Sequence, residues 1–185
     1  MSARTEVVRS ALRRAARAGY RRGMVVQTHG VVRLAVGGGV ERPRTFGAAD
    51  LEALPGQVAD VGTLVAGREG RAVRLAAVLD AAGPLPQATH LTVESGDGRF
   101  SANVPLDALA DALLVYRLAD GPLPAEKGGP IRLLIPDAAR CGRAEIDACA
   151  NVKHVAVLRL ETGRGRDTRP TTKAEHAAMH AHADD

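Results

Sequence analysis

The chain has 185 residues, 45% of them hydrophobic and 25% charged, with a formal net charge of +4. That length and balance predict one compact domain and exclude a fibrous, low-complexity or membrane-embedded chain. Tryptophan is absent and Tyr20, Phe46, Phe100 and Tyr116 are the whole aromatic complement, so Ala, Val, Leu and Ile must fill the core, and an extended stacking platform for single-stranded nucleic acid is excluded.

The charge is unevenly placed. Residues 1–22 hold Arg4, Arg9, Arg13, Arg14, Arg17, Arg21 and Arg22 against Glu6 alone, which leaves the rest of the chain slightly acidic. Val7, Val8, Leu12, Ala15 and Ala16 recur between these arginines at roughly helical spacing, so residues 1–22 are expected to form a basic helical or partly ordered arm. Nothing in the arm reads a base, and it is expected to be solvated or packed on its own domain rather than bound to nucleic acid. It lacks the apolar stretch of an export signal, and no stretch of the chain reaches the length of a membrane span, so a cytoplasmic location is expected. Cys141 and Cys149 are no disulfide framework and are expected to be reduced thiols.

In chain order, residues 24–36 are β-rich with a bend at Gly30, and Gly37–Gly39 release the chain before Val40. Asp50 to Leu54 begins a short helix that Pro55–Gly56 stops. Val58 to Val65 is expected as a strand, and Leu75 to Ala82 as a helix with a Gly83–Pro84 exit. Thr89–Ser95 and Arg99–Val104 make a hairpin around Ser95-Gly96-Asp97-Gly98, because an Asp-Gly pair tolerates the positive φ of a tight turn. Pro105 and Leu106 open a second helix expected to run to about Tyr116, and Asp120-Gly121-Pro122 ends it. Ile131–Ile135 is a strand buried on both sides. Residues 152–160 form the last one, with Val152, His154, Ala156, Leu158 and Leu160 on one face. Residues 23–160 form the domain, residues 161–185 a polar flexible tail, and the fold class is α+β, mixed and mostly β.

Few residues stand out chemically. Arg68 and Arg71 lie in the glycine-containing run VAGREGR, while Arg99 and Arg132 sit beside turns. Such guanidinium groups on glycine loops hold phosphate or carboxylate through bidentate bonds, although a solvated surface arginine is the default for each. Lys153 and His154 interrupt an apolar strand and need water, a partner or a ligand. GVVRLAVGGG lacks the Lys-Ser/Thr of a phosphate loop, and CGRAEIDAC lacks zinc-site spacing. His176, His180 and His182 are an incidental tail cluster, so no metal site is expected.

From about Arg33 to Leu160 the chain resembles the molybdopterin-binding domain of the sulfite oxidase family, in five ordered pieces: RTFGAADLEALP, RAVRLAAVLDAAG, LTVESGDGRFSANVPLDAL, DGPLPAEKGGPIRLLIP and NVKHVAVLRL. The resemblance implies a mostly-β domain that binds molybdopterin or another pterin. The family's Cys-Ala-Gly-Asn-Arg-like stretch, whose cysteine thiolate ligates molybdenum, is best matched by Val65-Ala66-Gly67-Arg68-Glu69, so valine replaces the ligand and molybdenum is doubtful. Arg68, Arg132, Lys153 and His154 are the cofactor-binding residues carried over, and no catalytic residue is assigned. The leading expectation is a non-catalytic or degenerate domain for a pterin or another anionic small ligand. A molybdenum-dependent oxidoreductase with an unusual metal ligand, working with a redox or other protein partner, and a protein-interaction module that keeps the fold remain alternatives.

Overall fold

The computed structural model describes residues 32–136, 148–170 and 175. The basic arm, the β-rich stretch up to residue 31, Cys141 and the tail histidines lie outside the described residues.

Among the described residues, nine strands form two sheets. The first has five strands in the order β2 (Arg44–Phe46), β1 (Leu34–Gly38), β9 (Val155–Glu161), β5 (His90–Ser95) and β6 (Ser101–Pro105). β1 and β9 pair in parallel and the other neighbours are antiparallel. The second is an antiparallel sheet in the order β3 (Gln57–Val58), β4 (Arg71–Arg74), β7 (Leu113–Arg117) and β8 (Arg132–Leu134). Alternating residues of both sheets meet in one core: Leu34, Leu91, Val93 and Leu158 from the first, and Val73, Leu114, Tyr116 and Leu133 from the second. The strand-rich architecture with few short helices matches the expected class.

Among the described residues, two short helices close this core. α1 spans Ala48–Ala53 and α2 spans Leu75–Ala82. α2 buries Leu75, Val78, Leu79 and Ala82, the i, i+3, i+4, i+7 stripe legible in the sequence. It stops at Gly83, which takes φ 71° and donates its N–H to the Leu79 carbonyl at 3.0 Å, before Pro84. The Asp-Gly hairpin also forms as expected. Gly98 has φ 68°, and Asp97 Oδ1 accepts from the Ser95 hydroxyl at 2.5 Å and from the Arg99 N–H at 3.0 Å.

Three local expectations change. Of the strand expected over Val58 to Val65 only Val58 is in a strand, β3, because Asp60 accepts the Gly62 N–H at 2.8 Å and starts a single 3-10 turn at Val61–Thr63. The helix expected to run to Tyr116 is a 3-10 turn at Leu106–Leu109, followed by β7. β7 lies between β4 and β8 and buries both faces, which removes the alternation that marks a strand in sequence. The last strand begins at Val155 rather than residue 152, since His154 takes φ 55°. A bulge opposite Glu94 and Ser95 shifts the register just after it.

Beyond Glu161 the chain lies along β6. Thr168 N–H donates to the Ser101 carbonyl at 2.9 Å, the Thr168 hydroxyl accepts from Ser101 N–H at 2.8 Å, and Arg169 Nη2 reaches the Asn103 carbonyl at 3.2 Å. Gly165 lies so close to the Glu161 carboxylate and the Thr92 hydroxyl that a Cβ there would overlap them, so residues 162–170 form a strap that crosses these outward side chains of the five-stranded sheet and bonds the free edge of β6.

Candidate functional site

The outer face of the four-stranded sheet carries a second, smaller apolar cluster. Ala72, Leu113, Val115 and Leu134 provide it, with Val61 and Leu123 laid over them from two loops. Between these loops opens a cavity of about 300 Å³, with Val61, Val115, Leu123 and Leu134 in its apolar floor and Arg68, Glu69, Glu126, Lys127 and Arg132 among its walls. Its size is at the lower end of the range of small-molecule sites, which run from roughly 300 to 1,000 Å³.

Both loops are shaped by glycine. Gly70 has φ 111°, and a Cβ there would lie 2.7 Å from the Arg117 carbonyl oxygen, so the loop carrying Arg68 and Glu69 returns to β4 through a position other residues cannot fill. Val61 N–H bonds the Gly70 carbonyl at 2.9 Å and closes the loop. On the other side, Gly128 has φ 89° and Gly129 is so close to the Leu123 carbonyl that an added Cβ would overlap it. This turn leads Lys127 back beside Arg132.

Arg132 opens β8 and points its side chain to the cavity side, like Leu134 two residues on. Its Nη1 donates to the Lys127 carbonyl at 3.3 Å, while its Nε is buried without a partner. Three buried side-chain polar atoms among the described residues lack a partner, Ser101 Oγ, Arg117 Nε and Arg132 Nε, and only the last belongs to a cavity-lining residue. Burial, and then the neighbouring charge of Arg68, pull the Arg132 guanidinium below its ordinary value. An arginine nevertheless stays cationic at neutral pH. Neither Arg68 nor Arg132 forms an ion pair among the described residues; the one ion pair in the cavity wall joins Lys127 to Glu69. The hydrogen bond that Lys127 donates to Glu69, and then the Glu69 charge, raise the Lys127 ammonium above its ordinary value.

Of the four residues nominated from sequence, Arg68 and Arg132 converge on this cavity. Lys153 is exposed and lies just outside the wall, its stem and that of Arg132 both packing within 3.3 Å of where a Gly128 Cβ would be. His154 faces the turn rather than the cavity. Its Nδ1 lies 2.7 Å from the Gly129 carbonyl, which can only accept, so this nitrogen carries the proton. Its backbone N–H bonds the Gly128 carbonyl at 2.8 Å, and its carbonyl accepts from Gly96. His154 therefore ties the Gly128–Gly129 turn to the β5–β6 hairpin. Val65 is half-buried against the second apolar cluster and is not in the cavity wall. Lys127, Glu69 and Glu126 were not singled out in the sequence. The available signal was Lys127 directly before a Gly-Gly pair, a turn tight enough to bring it back onto Arg132.

Residues 24–146 match the family model described as the oxidoreductase molybdopterin binding domain, and the chain belongs to that family. The five ordered sequence pieces pointed to it. Among solved structures the chain is similar to the sulfane dehydrogenase SoxCD from Paracoccus pantotrophus, with 25% identity, a TM-score of 0.54, and coverage of 71% of this chain. It spans 38% of the length of that structure's chain. No curated protein matches the chain. Among the described residues, no helix is long and apolar enough to cross a membrane.

The residues present fit one end of the family's cofactor. The orphaned Arg132 Nε, the adjacent Arg68 and the apolar floor suit a flat, partly apolar ligand that ends in an oxyanion, as a pterin phosphate does. Cys149 is half-buried in the turn Ala148–Ala150, away from the cavity wall.

Proposed function

We propose that this domain binds molybdopterin, or a closely related phosphate-bearing pterin, in the cavity beside the four-stranded sheet, and that it does so without a protein thiolate on molybdenum and without oxidase activity of its own. The observation that carries this reading is the buried, unpartnered Nε of Arg132 beside Arg68. A buried donor left without an acceptor costs about 1–3 kcal/mol, more when charged, so such a group is best explained by a ligand that supplies the acceptor.

In this reading Arg132 and Arg68 bind the oxyanion and orient the ligand, Lys127 adds a third cation at the rim, and the floor of Val115, Leu123 and Leu134 excludes water from one ring face. Lys153 contributes charge from outside the wall, and His154 holds the turn that positions Lys127 and Arg132. When bound, the cofactor supplies sulfur donors for a metal. With Val65 at the motif position, no protein sulfur joins them there.

Protein purified from its host and assayed for released-pterin fluorescence and for molybdenum is expected to give pterin with molybdenum well below one atom per chain. Reconstituted Arg132→Gln is expected to bind pterin at least about tenfold more weakly than the unaltered protein, the scale of one charge-assisted hydrogen bond. Absence of pterin both as isolated and after reconstitution overturns the proposal. The likeness to a sulfane dehydrogenase favours a second reading, a molybdenum-dependent oxidoreductase that passes electrons to a protein partner. Stoichiometric molybdenum with a cofactor-dependent visible spectrum selects it.

A further inference from the structure

The cavity wall holds anions of its own. Three cations line it, Arg68, Lys127 and Arg132, together with two carboxylates, Glu69 and Glu126. The net charge of the wall is therefore +1, and it becomes +2 once either carboxylate is neutralised. The two carboxylates are not equivalent. Glu69 bonds Lys127 directly and so bridges the two loops across the cavity, whereas Glu126 is next to Lys127 in the chain and acts on it through charge alone.

We propose that Glu69 is a resident counter-anion, which an incoming oxyanion displaces from Lys127, and that it thereby sets the affinity of the site. The idea rests on the reading of the cavity as an anion site and adds its control. Two features support an exchangeable role. The Glu69 and Lys127 side chains are 66% and 46% exposed, so their bond is the kind of surface ion pair that costs little to open. Glu69 leaves Arg132 Nε without an acceptor, so it neutralises one of the three cations while the most buried donor stays available to a ligand. A dianion that reached Arg132, Arg68 and a released Lys127 would meet three donors where a carboxylate on Lys127 meets one. Glu69 also sits between Gly67 and Gly70 in a solvent-exposed stretch of the loop, so its carboxylate can turn outward into water once Lys127 is released.

The test is calorimetric titration of the full chain with inorganic phosphate, at mildly alkaline pH where it is a dianion. Glu69→Gln is expected to bind phosphate about five- to tenfold more tightly than the unaltered protein, and Glu126→Gln to gain no more than about twofold, because only the first frees a cation that was directly bonded. Lys127→Gln is expected to change affinity by about twofold in the unaltered background and by about tenfold in the Glu69→Gln background, a non-additivity that a purely structural ion pair would not produce. Unchanged thermal unfolding of Glu69→Gln checks that the loop is intact. If phosphate binds and Arg132→Gln removes binding, but Glu69→Gln is no tighter than Glu126→Gln, the displacement proposal is overturned and the anion site stands. If phosphate binds none of these proteins, both fall together.

Discussion

Each sheet has an outer face covered by loops, and the two faces have opposite chemistry. Over the five-stranded sheet, the strap of residues 162–170 closes down on polar side chains that satisfy one another. The buried Thr92 hydroxyl donates to Glu161 and accepts from Asn103 Nδ2 at 2.9 Å, and Asn103 also reaches Glu161 at 3.3 Å. The remaining orphan there is the neutral hydroxyl of Ser101. Over the four-stranded sheet, the loops leave a cavity of about 300 Å³ and a cationic donor without a partner. A polar network that is complete within the chain stabilises it, whereas one left incomplete beside a cavity is where a ligand adds what is missing.

The largest expected effect breaks the open side. Gly129→Ala would place a Cβ on the Leu123 carbonyl and disorganise the turn that carries Lys127, and we expect a loss of about 3 kcal/mol or more in denaturant unfolding, together with loss of ligand binding. Next, Glu161→Ala tests the closed side. It strips Thr92 and Asn103 of their charged acceptor and should cost about 2 kcal/mol of stability while ligand affinity stays unchanged. Arg132→Gln should do the reverse, weakening pterin binding at least about tenfold while the unfolding free energy stays within about 1 kcal/mol, because in the free protein this half-buried cation has no ion-pair partner and makes one long hydrogen bond, to the Lys127 carbonyl at 3.3 Å. A stability loss from Arg132→Gln as large as that from Glu161→Ala would erase the contrast between the two faces.

A smaller effect is expected in acid. Burial tends to raise the Asp167 carboxyl, but its hydrogen bonds to Arg169 and the arginine charge outweigh this and hold it below its ordinary value of 3.8. The same balance, with Ser95 and Arg99 as partners, depresses Asp97 in the hairpin. A depressed carboxyl stabilises the fold above its unfolded pKa, and that contribution is lost as pH falls through the folded value. The strap should therefore loosen first on acidification below about 3.8, read as faster amide exchange at Thr168, and Asp167→Asn should remove that dependence. Lys153→Ala should be the mildest change, at most about threefold in ligand affinity with no loss of stability, since its head is exposed.

Much of the scaffold was legible locally. The Leu75–Ala82 stripe, the Gly83 stop, the Asp97-Gly98 turn and the strand within Ile131–Ile135 all carry their signal within a few residues. The site was legible in part: Arg68 and Arg132 stood out as arginines on glycine loops. Their convergence was not legible, because β4, β7 and β8 must first pair before residues 68 and 132 share a cavity. β7 was misread for a related reason, as Leu113–Tyr116 are apolar on both faces and show no period of two. His154 was nominated as a cofactor contact because it interrupts an apolar strand, and in the fold its Nδ1 bonds the Gly129 carbonyl 25 residues earlier.

The sequence by itself determined the family, the strand-rich class, and the presence of cations on glycine loops, because turn chemistry, helical stripes and ordered motifs are written in neighbouring residues. The tertiary structure alone decided that the chain beyond Glu161 seals one sheet, that Glu69 bonds Lys127 across 58 residues, and that Arg132 is left with a buried donor. Each of these depends on which distant groups meet once the sheets pack. Desolvation then sets the worth of a polar atom by the company it keeps in space, a quantity no stretch of sequence contains.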